Sequence, residues 1–285
     1  MDAGISRVKA RVLDFAPQPN LLSNAAFKRI QRFFQRHSGI LIQEHKHQLI
    51  IARLRAHMLS LGFKDFDSYS RHLVDKASQE ERTQCVDLLT TNETYFFREP
   101  DHFAQLGNMV LPNIKRRPVR VWCAAASTGE EPYSLAMALN ELLGPTGWEL
   151  TASDLSERVL ETAEQGLYRM QRIEFMPPDY LKKYCRRGVG PYEGMFMVDP
   201  ELRKRVSFVQ HNLLDQATDL GKFDIIFVRN VLIYFDTEIK SQVLHNLYAQ
   251  MNPDAWLVTS HSESLIGLNT PLKPVRPSIY RRTRN

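Results

Sequence analysis

The sequence predicts an α/β fold: a doubly wound, mostly parallel sheet, preceded by a small helical domain and interrupted by a small β-subdomain. Three observations lead there. No β-rich run occurs before Val119. From Val119 onward, "VRVWCAA", "ELTASDL", "VSFVQHN", "FDIIFVRN" and "AWLVTSH" are short apolar runs of strand length, most of them separated by helical segments, as in sheets built from crossover units. One connection, from Gln165 to Val206, spans some forty residues, where such loops usually take about 2–6.

The helical part comes first. "NAAFKRIQRFFQRHSGI" puts Phe27, Ile30, Phe33 and Phe34 on one face, with Ser23 or Asn24 as its cap. "HKHQLIIARLRAHMLSLGF" repeats the pattern through Leu49, Ile50, Leu54, Met58 and Leu61, and Gly62 ends it. "DFDSYSRHLV" and "ERTQCVDLLT" supply two more short helices. Residues 1–88 form this domain, and residues 89–285 the sheet-bearing one. His45, Lys46, Arg53, Arg55 and His57 give the second helix a basic side suited to an acidic partner.

In the second part, helices are expected at Tyr133–Leu143, Ser156–Gln165 and Asp236–Met251. The long connection contains a short helix in "MPPDYLKKYC" and a β-hairpin in "RRGVGPYEGMFMV", an inserted subdomain at about residues 170–205. The final "KPVRPSIYRRT" supplies an antiparallel edge strand.

Composition excludes several classes. The 285 residues are 43% hydrophobic, enough for a real core, yet no run approaches a membrane span. The first twenty residues lack the apolar stretch of a secretory signal. Three isolated cysteines form no disulfide framework and fit a reducing cytoplasm. The nine histidines make no metal signature, so no metal is expected. A formal charge of +5 and a pI near 9.1 are too mild to indicate nucleic acid.

Ligands of open α/β sheets bind beyond the carboxyl ends of the strands. There the first strand runs into "STGEEPYSLAMAL", with the helix beginning near Pro132. Only Gly129 is present, so the glycine fingerprint of a dinucleotide site is missing, and no triphosphate loop occurs. Glu130 and Glu131 suit a cationic ligand, or simply an acidic helix start. Asp154, ending the second strand, fits the two hydroxyls of a ribose, or caps the next helix. Asn212 suits the edge of an adenine, and Arg229 and Asn230 follow the fourth strand. A nucleoside with a cationic end fits this set, which favours S-adenosylmethionine over ATP or NAD.

At this point the chain resembles the CheR family, the chemotaxis receptor methyltransferases that esterify glutamate side chains. The resemblance rests on "LLTTNETYFFREPDHF", "VWCAAASTGEEPYSLAMAL", "ASDLSERVLETAEQGLYR", "FDIIFVRNVLIYFD" and "SHSESL", in family order over residues 88–264. Small departures, such as Glu93 in "TNETYFF", spare the ligand-contact positions. It implies a class I methyltransferase fold with S-adenosylmethionine as cofactor and S-adenosylhomocysteine as product. Asn92, Thr94, Arg98, Glu130, Glu131, Asp154, Asn212, Leu213, Val228, Arg229 and Asn230 become the cofactor-binding set. Phe96 and Phe97 help enclose the site, and Arg98 and Tyr234 are the catalytic pair.

The implied chemistry is economical. A glutamate carboxylate is ionised at neutral pH and needs no general base; it needs alignment and exclusion of water, which an arginine can supply. The implied partners are the cytoplasmic methylation helices of methyl-accepting chemotaxis receptors, together with a receptor tail peptide held near Arg187–Gly194. The protein would be a cytoplasmic monomer recruited to membrane-bound receptor arrays, neither membrane-inserted nor bound to nucleic acid. Two other readings are a methyltransferase for RNA or a small molecule, and a cofactor-binding module without catalysis. "NVLIYF" lacks the two prolines of amino-methylating DNA enzymes, and retention of Arg98, Asp154 and Tyr234 argues against lost catalysis.

Overall fold

Each helix of the first domain forms where an apolar stripe meets a good cap. The computed structural model describes residues 22–283; the expectation about a secretory signal concerns the first twenty residues and lies outside them. In α1 (Asn24–Ser38) the Ser23 hydroxyl accepts from the Ala26 N–H at 3.1 Å, and Gly39 ends the helix in the left-handed conformation. Its stripe of Phe27, Ile30, Phe33 and Phe34 is buried against α3 (Phe66–Asp75) and α4 (Gln79–Leu89). A reciprocal capping box between Ser78 and Glu81 starts α4. In α2 (His47–Ser60), Ile50, Leu54 and Met58 are buried as expected, whereas Leu49 is half-exposed and Leu61 exposed. Both lie at the rim of the stripe, where it leaves the core.

A short helix, α5 (Asp101–Gln105), leads towards the sheet. The parallel part is β1 (Val119–Cys123), β2 (Trp148–Asp154), β6 (Val206–Gln210), β7 (Phe223–Phe227) and β8 (Met251–Val258). Its crossovers include α6 (Glu130–Leu143), α7 (Glu157–Gln165) and α10 (Thr237–Ala249). The chain end contributes two antiparallel strands rather than one: β10 (Ile279–Arg281) pairs with β8, and β9 (Lys273–Arg276) takes the edge. The Pro277–Ser278 turn makes them a hairpin, Ser278 adopting a positive φ of 59°. The order β6-β2-β1-β7-β8-β10-β9 reverses direction between β1 and β7, which makes the carboxyl ends of those strands the ligand crevice. Apolar side chains fill both faces of the sheet.

The insert is a three-stranded antiparallel sheet. β4 (Cys185–Arg187) and β5 (Met195–Val198) form the expected hairpin after α8 (Pro178–Tyr184), and β5 also pairs with β3 (Leu167–Arg169). A two-stranded hairpin is marginal alone; β3 supplies the third strand, so the subdomain begins before residue 170. A last turn, α9 (Pro200–Arg203), returns the chain to β6. Among the described residues, no helix is long and apolar enough to cross a membrane.

Gly129, the glycine at the start of α6, has φ 96°, and a Cβ there would lie 2.6 Å from the Tyr168 hydroxyl and 2.7 Å from the Ala163 Cβ. It therefore allows α7 and β3 to close onto the β1–α6 turn. Gly129→Ala should cost about 1–3 kcal/mol in urea denaturation; an unchanged midpoint would show that the contact is not tight.

Candidate functional site

A cleft open to solvent lies at the carboxyl ends of β1, β2 and β7, where ligands of open α/β sheets bind. Asp154 lines it. Its Oδ2 accepts from the Ser127 N–H at 2.8 Å and its Oδ1 from the Ser156 N–H at 3.1 Å. Burial raises its pKa, partly offset by these donors. The capping reading fails, because α7 is capped by the Ser156 hydroxyl. Ser127, which the sequence did not single out, adopts φ 48° and donates its hydroxyl to the Asn92 carbonyl at 3.0 Å. It ties the segment entering the domain to the turn after β1.

The two neighbouring carboxylates separate. The helix begins at Glu130, not near Pro132, so successive side chains diverge by about 100°. Glu131 lines the cleft. Glu130 does not: it is 1% exposed, accepts from the Thr128 hydroxyl at 2.6 Å, and lies 3.9 Å from Arg172. Burial raises its pKa. Glu130 thus stands behind the cleft wall, held by Thr128.

In the cleft floor sits Arg229, with its side chain fully buried. Its Nη1 lies 2.5 Å from Glu131, and its Nη2 donates to the Arg98 carbonyl at 2.6 Å and to Glu99 at 3.0 Å. Burial opposes its charge, yet Glu131 and Glu99 outweigh it and raise the pKa further. Glu99 also lies 3.2 Å from His102 Nδ1. Burial would raise its pKa, but His102 and Arg229 hold it down to about 2. Burial lowers the pKa of His102, whose Nε2 lies 2.7 Å from the Ser278 hydroxyl. Glu99, His102 and His261 bring donor atoms within 4.8 Å of one another, a grouping invisible to local motif reading. Arg229 already supplies the positive charge facing Glu99.

Asn230 lines the cleft with φ 58°. That conformation is held by Glu263, a buried carboxylate accepting from the N–H groups of Asn230 (2.8 Å), Ile233 (3.2 Å) and Ser260 (2.9 Å). Glu263 lies in "SHSESL", and its role was legible only once the loops met. Val228, by contrast, does not reach the cleft; it packs in the core and donates its N–H to Val258. As the last inward residue after β7, it faces the sheet interior.

Asn92, Thr94, Arg98 and Tyr234 line the cleft, as do Asn212 and Leu213. Phe96 and Phe97 do not: both are core residues, Phe96 against Tyr168 and Phe196, Phe97 against Phe103 and Tyr180. The Asn212 amide is engaged elsewhere, donating to the His37 carbonyl at 2.8 Å while its oxygen accepts from the Leu214 N–H; it joins the two domains. Arg53 does the same, donating to the carbonyls of Leu89 (2.5 Å) and Thr90 (2.8 Å) and to the Thr91 hydroxyl. Neither Arg53 nor the buried His57 is free on a basic docking face; His45, Lys46 and Arg55 remain exposed there. Arg98 is half-exposed, near the Glu93 carbonyl and the Tyr95 ring, with no carboxylate in ion-pair range among the described residues.

The Glu99 network has a pH signature. Its folded pKa lies below the ordinary 4.5, so the stability it contributes is present above pH 4.5 and is lost as pH falls towards 2. Glu99→Gln should be less stable than the parent at pH 7, and the gap should close between those limits in urea midpoints. Parallel curves would remove the network from the stability argument.

Comparison with known proteins agrees with this architecture. Residues 92–280 match the family model described as CheR methyltransferase, SAM binding domain, and residues 25–90 that described as CheR methyltransferase, all-alpha domain. The chain is 42% identical over 248 residues to a chemotaxis protein methyltransferase of Escherichia coli, covering 85% of each. It is 40% identical to that of Salmonella typhimurium, covering 87% of this chain and 86% of the relative. Chemotaxis protein methyltransferase 2 of Pseudomonas aeruginosa is 38% identical, covering 89% and 91%. With both halves matched in order, and an S-adenosylmethionine-binding domain carrying the cleft, the chain belongs to the CheR family of S-adenosylmethionine-dependent methyltransferases.

Proposed function

We propose that this methyltransferase esterifies the side-chain carboxylates of specific glutamates in the cytoplasmic helices of methyl-accepting chemotaxis receptors, adapting chemotactic signalling. The observation that carries the reading is Arg98, a cleft-lining cation whose neighbour Glu99 is claimed by Arg229 and His102. A guanidinium at the cleft with no carboxylate partner among the described residues suits an anionic nucleophile, and glutamate is ionised at neutral pH.

The residues present fit the cofactor. After its two backbone bonds, the Asp154 carboxylate keeps acceptor capacity for ribose hydroxyls. Glu131 offers charge to the ammonium end, with Arg229 holding it in place. Leu155 and Leu213 add apolar surface for a base, and Asn92, Thr94 and Asn230 complete the lining. When bound, S-adenosylmethionine supplies the methyl group, already activated on a sulfonium. The chain's own contribution is to restrain the incoming carboxylate through Arg98 and to orient it beside Tyr234, with no proton to remove.

Relatives named for chemotaxis support a partner in that pathway, and on this reading the protein works on the cytoplasmic side of receptor arrays, as a monomer that is not inserted in the membrane. A receptor tail peptide would add to the free edge of β4 near Arg187–Gly194, where Val189 and Tyr192 are exposed. Titration with tail peptides reports on that contact separately from methyl transfer.

Two substitutions test the site. Asp154→Ala should weaken binding of S-adenosylhomocysteine roughly ten- to hundredfold by calorimetry, the worth of charged hydrogen bonds; unchanged affinity would reject the ribose role. Arg98→Ala should keep the fold while methyl transfer to receptor glutamates falls by about a hundredfold or more. Near-parental turnover would reject Arg98 as the carboxylate anchor.

A further inference from the structure

A second cavity, of about 1140 Å³ and open to solvent, lies between the helical domain and the loop after β7. It shares Ile40, Thr91, Tyr234 and Phe235 with the cofactor cleft, so the two are continuous across Tyr234. Its remaining walls are mostly apolar, with the buried Phe34, Ile42 and Leu89 beside the half-exposed Leu49 and the exposed Ile233. Lys46 and Asp236 supply one charge of each sign. The chemistry described above uses none of this surface except Tyr234.

We propose that this cavity is a specificity subsite that takes an apolar side chain of the substrate helix, three or four residues from the glutamate being methylated. The inference rests on the glutamate-esterifying reading and names what else of the substrate the enzyme recognises. With the cofactor in its cleft, the target side chain must approach past Arg98 and Tyr234, and the rest of the substrate must lie just outside. On a helix the residues three and four positions away are the same-face neighbours, about 5–6 Å between Cβ atoms. A cavity sharing four wall residues with the cleft adjoins it directly, as a pocket for such a neighbour must. An apolar wall selects an apolar group, and the discrimination available to such a pocket is about 10–200-fold. Lys46 and Asp236 would meet the polar residues that flank such a side chain on an amphipathic helix. Ile233 sits at 48% exposure, in a loop whose backbone Glu263 clamps.

The test pairs enzyme and substrate changes in the full-length protein. Receptor fragments in which each apolar residue three or four positions from a methylated glutamate is changed singly to Asp are compared with the parent, methyl esters being counted site by site by mass spectrometry. The enzymes are the parent, Ile233→Asp and Leu49→Trp, the latter filling the cavity from its half-exposed side. One substrate change should lower kcat/KM about tenfold or more with the parent enzyme. Each enzyme change should do the same on the parent substrate, with calorimetric affinity for S-adenosylhomocysteine unchanged. Combined, the two changes should cost little more than either alone, because both remove one contact. Additive losses, or rates indifferent to every neighbour, overturn the subsite while leaving glutamate esterification intact. An acceleration on deleting residues 1–21 that vanishes in Ile233→Asp identifies that segment as the occupant and also overturns it. If the parent enzyme methylates no receptor glutamate, the underlying reading fails and the subsite with it.

Discussion

The guanidinium of Arg229 is wholly buried between Glu131 and Glu99, and the rest of the site depends on that arrangement. A buried cation without partners would be untenable, so the chain leaving β7 can carry an arginine only because α6 and the segment before α5 each deliver a carboxylate. The dependence is mutual. Glu131 lines the cleft as a held group because Arg229 fixes it, and the chain entering the domain is pinned because Arg229 also takes the Arg98 carbonyl. Breaking such a group by removing one partner generally costs about 3–5 kcal/mol, far more than a surface ion pair, so the three segments form as one unit.

A second set of bonds brings the helical domain into that unit. Arg53 on α2 grips the carbonyls of Leu89 and Thr90, fixing the start of the segment that carries Asn92 and Thr94. His37 at the end of α1 accepts from Asn212, and Leu41 donates to the Tyr234 carbonyl. Ser38 and Ile40 themselves line the cleft. The helical domain is therefore a wall of the site as well as a neighbour to it. Its basic residues divide accordingly, Arg53 joining the domains while Lys46 reaches the second cavity.

How much of this was legible follows the range of each signal. Helical stripes such as Phe27–Phe34 and the alternation of strands with helices are local, and they point to the crevice that Asp154 lines. Direction was harder. Adjacent positions on a helix or at a strand end point to different sides, and composition alone does not say which, so Glu130 and Val228 were grouped with their cleft-lining neighbours Glu131 and Arg229. Phe96 and Phe97 likewise follow a loop-like run, but their rings pack on Tyr168, Phe196 and Phe103. Glu263 and the Glu99–His102–His261 grouping depend on contacts across more than thirty residues, for which one sequence carries no periodic trace. β3 was hidden for a related reason: three residues are too few to show alternation.

The availability of Arg98 shows how backbone conformation can decide chemistry. Neighbouring arginine and glutamate side chains in an exposed segment would ordinarily be free to pair, and a paired Arg98 would have less charge to offer an incoming carboxylate. Here Phe97 and Glu99 both adopt φ 56°, an uncommon conformation for non-glycine residues that persists only where surroundings enforce it. The enforcement is visible: the Phe97 N–H donates to the Ser134 hydroxyl, its ring is buried, and Glu99 is drawn to Arg229 and His102. With Glu99 turned inward, Arg98 is left at the cleft without a carboxylate partner among the described residues. The strained turn thus separates an ordinary Arg-Glu pair: Glu99 neutralises a buried cation, and Arg98 stays at the cleft with the charge that the proposed reading assigns to the substrate carboxylate.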